Sequence, residues 1–265
     1  YNSTSGFNTL NQFIQAEKIT KDVNPVYGSI QKLHARDSDL IALCEDKILR
    51  IQSNKDTLFN ADGSSNVTSS DKVLGQTTPF SGEYGISTNP ESFASEAYRA
   101  YFSDRVRGKV MRLSKDGLTP ISDYAMKDWF RDHFKLVGQT GKVLGSYDDR
   151  NDEYNVKLEQ YEQTVTDEYI ETTPKVVAFS EKVKGWISFK SFTQMSNANS
   201  MANSYYTFYK GNAFKHYSEN VDRNTFYGIG PDQDPNAESS LTVILNDNPH
   251  VVKVYNTLNY EGSQS

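Results

Sequence analysis

The amino-acid sequence predicts a mostly β fold, made of β-propeller-like repeats of antiparallel hairpins with two short helices. The first reason is an internal near-copy. Residues 102–108 and 179–185 both read Phe, Ser, acid, base, Val, base, Gly, and such self-similarity is typical of repeat architectures. The second reason is composition, because 17 Tyr and 14 Phe in a chain that is only 36% hydrophobic suit aromatic strands with polar faces.

The repeated unit is predicted to be a β-hairpin. In the first copy, residues 101–103 are predicted to form the first strand, residues 104–108 the turn, and residues 110–113 the second strand. Apolar residues recur in the second strand with an imperfect period of two. That period is expected of a half-buried strand. Gly108 stands where the turn needs a backbone angle that other residues resist. A second turn is predicted at residues 114–117, before a further extended segment.

Weaker members of the set are predicted at residues 40–51, 145–158 and 205–217, each with apolar or aromatic runs around a polar turn. The turns of all five hairpins are marked by Asp46, Asp104, Asp149, Glu181 and Lys210. The intervals between markers are 58, 45, 32 and 29 residues. One turn per roughly 30 to 60 residues suits four-stranded propeller blades with insertions, whereas sandwich turns fall roughly every 8–12 residues. The alternative is two coincidental hairpins in an ordinary sheet domain.

Three segments are predicted along the chain. Residues 1–31 form an N-terminal arm or connector, residues 32–239 form the propeller-like β-repeat domain, and residues 240–265 form a C-terminal hairpin and exit segment. In that hairpin, two β-branched runs flank a polar turn. Because the sequence begins with Tyr1 rather than Met, we expect a processed product or part of a longer polypeptide, which would leave the repeat domain incomplete.

Within these segments, local composition predicts the irregular parts and the helices. Residues 53–90 are the least structured by composition, with a long polar loop at 60–71. Residues 8–17 and 89–98 are predicted as short helices of the arm and the repeat domain. In the second of these, Asn89 caps the helix and a proline follows at its first position.

The clearest helix is predicted at residues 122–134, with Ser122 as its N-cap. Four apolar side chains recur there at helical spacing: Met126, Trp129, Phe130 and Phe134. This stripe indicates a core or packing face rather than a ligand site.

Composition also limits the possible functions. The net charge of −6 argues against a general nucleic-acid groove. The single cysteine, Cys44, excludes a disulfide within the chain and is predicted to be a buried structural thiol. No apolar run approaches the 18 or so residues of a membrane span.

Catalytic, cofactor-binding and metal-binding residues are all predicted to be absent. The four histidines, His34, His133, His216 and His250, have no His or Cys at metal-ligand spacing and indicate surface or turn positions. Residues 114–117 resemble the Asp-box turn of sialidase-type propellers but lack the residue between Asp and Gly, so a plain turn is favoured. Residues 232–236 resemble the start of a calcium loop, yet Val243 occupies the twelfth position, where a glutamate is required.

Two kinds of charged cluster, one acidic and one basic, each allow a structural and a functional interpretation. The carboxylate pairs Asp148/Asp149 and Asp152/Glu153 could serve a glycosidase, but in a polar turn solvated charge is the default. Basic residues cluster on the two repeat hairpins: Arg105, Arg107, Lys109, Arg112, Lys182 and Lys184. Edge protection against foreign strands is favoured for them, while contact with a neighbour's acidic surface or with DNA in a lumen is the alternative.

Residues 102–122, preceded by residues 84–93, resemble the tail nozzle proteins of short-tailed bacteriophages. The closest resemblance is to the muzzle or "stabilization" proteins of crAss-like and related marine phages. Residues 251–262 are similar to the segment that follows the repeats in that family. The resemblance covers roughly residues 80–265, with its strongest part at residues 84–135, and it brings no catalytic motif.

The resemblance implies a structural virion protein of the tail, not an enzyme. It implies a β-propeller-bearing subunit, of which about six copies form a closed ring that extends the genome-ejection conduit. Partners would be copies of the chain, tail adaptor or ring proteins, tail fibres, and DNA that passes the lumen without sequence-specific binding. The alternative is a carbohydrate-binding or glycoside-cleaving β-propeller at the host surface, with Trp186 and the tyrosines as stacking faces. A generic protein-interaction propeller is a third possibility.

Overall fold

The computed structural model describes residues 20–36, 39–59, 65–138, 141–159, 161–163, 169–171, 174–221, 225–227 and 250–257. The chain divides into two units, Tyr1–Ser218 and Glu219–Ser265. All the sheets among the described residues lie in the first unit. In the second unit, residues 252–257 have no regular secondary structure, although the second strand of the predicted C-terminal hairpin would include them. The first strand of that hairpin and the predicted helix at residues 8–17 lie outside the described ranges.

The first two sheets are four-stranded and antiparallel. The first contains β1 (Ile30–Arg36), β2 (Asp39–Cys44), β3 (Ile48–Phe59) and β4 (Ser65–Pro79). The second contains β5 (Ala94–Ser95), β6 (Ala100–Asp104), β7 (Lys109–Ser114) and β8 (Gly117–Pro120). In both sheets the strands lie side by side in the order in which the chain makes them.

The chain continues through the helix α1 (Lys127–Val137) into two more sheets. Its next strands are β9 (Lys142–Asp148), β10 (Glu153–Glu159), β11 (Tyr161–Gln163), β12 (Tyr169–Glu171), β13 (Lys175–Ser180) and β14 (Gly185–Lys190). The third sheet has the order β9-β10-β13-β14, and β11 pairs with β12 as an inserted two-stranded ladder. The fourth sheet has three strands, β15 (Asn197–Met201), β16 (Ser204–Tyr209) and β17 (Asn212–Lys215).

The prediction of a mostly β fold is therefore confirmed, as a series of four antiparallel meanders. Three of the meanders use strands that are consecutive in the chain, and the third sheet departs from this only through β11 and β12, which are inserted between β10 and β13. Direct connections between neighbouring strands keep the cost in loop-closure entropy low. Within the described residues these sheets do not form a closed propeller, so the propeller stays a prediction. None of the described helices has the length and apolar character that a membrane span needs.

All five predicted hairpins are present, but the two near-copies occupy different places in their sheets. Residues 102–114 form the second and third strands of the second sheet, whereas residues 179–191 form the third and fourth strands of the third sheet. The five turn markers thus belong to different turns of the meanders, which explains their uneven spacing. Gly108 has the predicted left-handed angle, with φ of 65°, but in the second copy Lys184 adopts it instead, with φ of 51°.

The segment predicted to be least structured is instead a long hairpin. β3 and β4 pair with each other over most of their length, although residues 60–64 at the turn are outside the described part of the chain. The low hydrophobicity of this region concealed its strands. Thr and Val nevertheless recur within residues 65–79, and both residue types favour extended backbone.

Of the two helices predicted in the repeat domain, one is shortened and one is displaced. The first is a single 3-10 turn, Pro90–Ser92, after which Ala94–Ser95 pairs with β6 as a strand. The second begins at Lys127 rather than after Ser122, because Ile121–Asp123 forms a separate 3-10 turn. The Ile121 carbonyl of that turn accepts a hydrogen bond of 3.0 Å from the Trp186 indole, so a tertiary contact holds it apart from α1.

Apolar clusters fill the spaces between successive sheets. Between the first and second sheets, side chains such as Ile41 and Leu43 meet Phe102 and Met111. Between the second and third sheets, the Tyr101 side chain packs with the buried side chains of α1 and with apolar side chains of the third sheet. The predicted apolar stripe of α1 is confirmed as this packing face: Phe130 and Phe134 are fully buried, and Met126 and Trp129 pack against the cluster while staying partly exposed.

Cys44 lies in the core of the first sheet, as predicted, and is fully buried. Burial, with a smaller contribution from the nearby Glu45 carboxylate, raises the pKa of its thiol. A raised pKa lowers the thiolate fraction, and the thiolate is the reactive form.

Candidate functional site

A cleft of about 540 Å³ lies where the first strands of the four sheets meet. Lys32 of β1, Ser95 of β5, Tyr147 of β9 and Asn199 of β15 all line it. Each of these strands is the edge of its sheet on which the meander begins. The four sheets therefore present equivalent edges to one shared cleft, which no sequence motif indicated.

The lining of the cleft is polar and carries charge of both signs. Glu91 and Asp149 contribute carboxylates, and Lys32 places its ammonium 4.9 Å from the centre of the Phe93 ring. Loss of surrounding water, followed by repulsion from Asp148 and other nearby carboxylates, raises the pKa of the Asp149 carboxyl. Negative potential is therefore concentrated at this end of the cleft.

Two strands each end at a buried aspartate, just before the turn that follows the strand. Asp104, at the end of β6, is fully buried and accepts hydrogen bonds of 3.1 Å from the Gly85 amide and the Ser87 hydroxyl. Asp148, at the end of β9, is also fully buried, and it accepts hydrogen bonds from the Arg150 amide at 3.0 Å and from the Tyr217 hydroxyl. Asp148 is thus a structural turn residue, and the expectation of solvated charge is wrong for it.

The first seam, between the first and second sheets, carries an ion-pair network that is centred on the buried Asp104 carboxylate, while Arg107 and Asp46 are partly exposed. Arg107 donates to the Asp104 carboxylate at 3.0 Å and to the Asp46 carboxylate at 3.2 Å. Asp46 lies in the turn between β2 and β3, and Asp104 ends β6. One guanidinium therefore joins the turns of two sheets.

The second seam, between the second and third sheets, is built on aromatic rings and one carboxylate. The Tyr101 ring stacks on Tyr147 and Tyr154, with centroid distances of 5.7 and 4.8 Å. Its hydroxyl donates to Glu181 at 2.9 Å, and Arg112 donates to the same carboxylate at 2.8 Å. Burial first, then the Glu181 charge, raises the pKa of Tyr101, so the hydroxyl stays protonated as the donor.

The third seam, between the third and fourth sheets, is polar. A hydrogen bond of 2.7 Å joins the Ser146 and Tyr205 hydroxyls, and both side chains are buried. Lys157, also buried, donates to the Met195 carbonyl at 2.8 Å. Because buried polar groups favour only the geometry that satisfies them, these contacts fix how the two sheets meet.

The basic residues of the first repeat hairpin hold the chain together, so the prediction of edge protection is wrong for those four, while it stays a prediction for Lys182 and Lys184 beside the edge strand β14. Arg107 and Arg112 belong to the first and second seams, on strands or turns that are not sheet edges. Arg105 donates to Asn89 at 3.0 Å, and Lys109 pairs with Asp123. Lys182 pairs with Asp152 at the surface, and Lys184 is exposed.

The remaining candidate sites have structural explanations. Glu153 pairs with Lys190 at 2.6 Å, and residues 114–117 form a plain turn in which the Ser114 hydroxyl accepts from the Asp116 amide. Residues 232–236 lie outside the described ranges. Within those ranges, no group of three or more His, Cys, Asp or Glu side chains could hold a metal ion.

Three of the four histidines pack against aromatic rings instead of lying free in turns. His34 is 5.0 Å from Phe93 and His133 is 4.0 Å from Trp129, between ring centroids. His216 lies 4.8 Å from Phe192. Burial is the largest effect at all three, and it lowers their pKa below the usual 6.5.

These histidines predict that acid weakens the fold. Below about pH 6.5 the unfolded chain takes up protons that the folded chain does not, so the free energy of unfolding should fall as the pH drops. We expect a lower melting temperature at pH 5.5 than at pH 7.5, and a smaller difference in His133→Gln. The exposed His250 supplies the control, because His250→Gln should leave the difference unchanged. An equal difference in both variants would contradict the role of His133.

Comparison with protein families matches residues 17–211 to the family described as Crassvirus muzzle protein. The match begins well before residue 80, where the resemblance read from the sequence started, and it covers the first three sheets and most of the fourth. Residues 251–262, which also carried that resemblance, lie beyond the matched segment. No curated protein sequence matches the chain.

Proposed function

Because the chain belongs to the Crassvirus muzzle protein family and is thus a structural component of the virion tail, we propose that it is a subunit of a ring at the distal end of that tail. In this ring, about six copies surround the conduit through which the genome leaves. The other partners are tail adaptor or ring proteins and tail fibres. The chain performs no catalysis in this role.

The convergence of the four meanders on one cleft is the observation that carries the proposal. A propeller blade is an antiparallel four-stranded sheet, and the blades surround a central channel. The first strands β1, β5, β9 and β15 all contribute to the cleft, as blades around an axis would. We therefore interpret the four sheets as successive blades of a propeller.

The seams give such a subunit the stiffness that a conduit needs. Arg107 links the first and second sheets, and Arg112 with Tyr101 links the second and third. Polar networks of this kind, each built around a buried or mostly buried carboxylate, have few competing arrangements. A ring of these subunits would resist deformation while DNA moves through it.

Charge supports passage of DNA without capture. The chain carries a net charge of −6, and most of its repeat-hairpin arginines are already paired with carboxylates or carbonyls of the chain. A negative wall repels the phosphate backbone. DNA would therefore slide past this wall instead of binding to it.

Electron microscopy of the purified protein at high concentration tests the ring. We expect class averages of uniform rotational order with an open centre, and no retention of double-stranded DNA at physiological salt. Monomers at every concentration, including in the presence of purified tails that could template assembly, would contradict the proposal. Disordered aggregates without rotational order would contradict it as well.

Carbohydrate binding at the host surface is the second candidate, and the chemistry of the cleft lining favours it. Asn199 and Ser95 offer amide and hydroxyl groups beside the Phe93 ring, which is a combination that suits sugars. If the chain stays monomeric and host glycans raise its melting temperature, this function replaces the ring. Cleavage has weaker support, because Asp148 and Glu153 are already engaged in structural contacts.

A further inference from the structure

An apolar surface is exposed on the side of the third sheet that is opposite the cleft. It consists of the exposed Leu136 of α1 and Phe189 of β14 together with the half-buried Trp129 and His133 of α1, and is called the outer patch below. Leu136 is 60% exposed and Phe189 is 59% exposed. The Trp129 ring lies 5.5 Å from the Phe189 ring and 4.0 Å from the His133 ring, between centroids. The aromatic members therefore form one continuous surface.

The outer patch gives α1 a second apolar face. Residues 129, 133 and 136 follow the spacing of one helix face, while Phe130, Phe134 and Val137 form the face that is buried against the sheets. A surface helix ordinarily presents polar residues on the side away from the core. An exposed leucine beside half-exposed aromatic rings on that side is typical of a protein interface, whose buried centre is rich in aromatic residues.

The position of the outer patch points away from the proposed propeller axis. In the third sheet β9 lines the cleft and β14 is the opposite edge, about 14 Å away at the usual strand spacing. If the cleft is the axis, β14 and α1 lie on the outer rim. In a ring of subunits the rim is the part that neighbouring copies touch.

Contact through the outer patch would use side chains rather than an added strand. The outer edge of β14 pairs with no strand among the described residues. Its pairing with β13 shifts register between Ala178 and Phe179, which leaves Ile187 as an extra residue in β14. Such a bulge and nearby lysines discourage strand addition at an edge. The exposed rings remain the groups available to a partner.

The charge around the outer patch fits an acidic partner. Lys135 of α1 and Lys175 of β13 form ion pairs with none of the described carboxylates, whereas Asp128 and Asp132 of α1 are paired with Arg131. The imidazole of His133 adds no charge, because its Nε2 faces the Lys175 ammonium at 2.9 Å and must accept there. The chain has 34 acidic residues against 28 Lys and Arg residues, so a second copy has an excess of carboxylates that can meet these lysines.

We propose that the outer patch is the surface through which one copy of this chain contacts the next. This inference rests on the proposed ring and names the surface that builds it. The neighbouring copy would cover Trp129, Leu136 and Phe189 with an acidic face, in a head-to-tail contact that closes by rotation. The apolar rings would supply most of the affinity, and the lysines would orient the approach.

The test compares the assembly of Leu136→Ser/Phe189→Ser with that of Val106→Ser. Val106 is 70% exposed in the turn between β6 and β7 and lies outside the outer patch. We expect the double variant to raise the concentration of half-assembly by about tenfold or more, the typical effect of an interface hot spot. Val106→Ser should assemble like the parent protein. Mass photometry over a dilution series measures assembly, and circular dichroism confirms that both variants fold.

A photo-crosslinking amino acid at position 189 provides the second measurement. We expect a product of two copies whose linkage maps to an acidic face of the chain. Rings that persist in Leu136→Ser/Phe189→Ser, or that give no such product, would overturn the outer patch and leave the ring proposal standing. A parent protein that never assembles would overturn both. Crosslinking only to a different tail protein would assign the patch to that partner and overturn contact between copies.

Discussion

Asp104→Ala is expected to lower the free energy of unfolding by about 1–3 kcal/mol, the typical cost of leaving buried hydrogen-bonding groups without a partner. The carboxylate is fully buried and accepts from the Gly85 amide, the Ser87 hydroxyl, and both the amide and the guanidinium of Arg107. Without it, the buried Gly85 amide and Ser87 hydroxyl lose their acceptor, whereas the Arg107 guanidinium keeps Asp46 and partial access to water. Chemical denaturation followed by circular dichroism measures the change.

Two further variants separate the charge from the space it fills. Asp104→Asn keeps the volume but turns an amide donor toward several donors, so it should also destabilise the fold, by less than Asp104→Ala. Asp116→Ala is the matched control, because Asp116 is exposed in the turn between β7 and β8 and surface changes of this kind cost less than about 0.5 kcal/mol. If Asp104→Ala were as mild as Asp116→Ala, Asp104 would not organise the first seam.

Gly145→Ala is expected to destabilise the protein by about 3 kcal/mol, at the upper end of the usual cost of overpacking. A Cβ at this position would lie 1.9 Å from the Ser92 carbonyl oxygen and 2.7 Å from the Tyr154 hydroxyl. The Tyr154 hydroxyl donates to that same carbonyl at 2.7 Å, and Tyr154 is fully buried. The third sheet would have to move away from the second, which would break this hydrogen bond and widen the cleft.

Gly185→Ala is the control for that experiment. It lies at the start of β14 without a left-handed backbone angle, and an added Cβ would come no closer than 3.8 Å to the Val183 carbonyl oxygen. We expect it to be neutral or to stabilise by up to about 1 kcal/mol, because alanine restricts the unfolded chain. Thermal melts of the two variants give the comparison. Equal melting temperatures would show that the close approach at Gly145 is not required.

The variants Asp104→Ala and Gly145→Ala also bear on function. Neither residue belongs to the outer patch. Each of these variants should therefore lower the yield of rings only in proportion to its effect on the stability of the subunit. Changes in the outer patch should lower assembly while the melting temperature stays the same. Stiffness within a subunit and contact between subunits are therefore separable by measurement.

The sequence by itself determined the local parts of this protein. Runs with a period of two and polar turns predicted all five hairpins, because both signals depend only on a few consecutive residues. The near-copy at residues 102–114 and 179–191 also carried the family resemblance, although it did not show that the copies occupy different places in their sheets. Spacing alone likewise gave the apolar stripe of α1.

Only the tertiary structure decided how these parts meet. Arg112 and Glu181 are 69 positions apart, and Tyr154 and the Ser92 carbonyl are 62 apart, so no local pattern could pair them. The cleft could not be predicted for the same reason, because the residues that line it come from four sheets that are far apart in the sequence. Distance in the sequence also explains the helix errors, because the Trp186 indole holds the Ile121 carbonyl from 65 positions away. Local chemistry specifies each hairpin, whereas the partners of its exposed faces depend on the path of the whole chain.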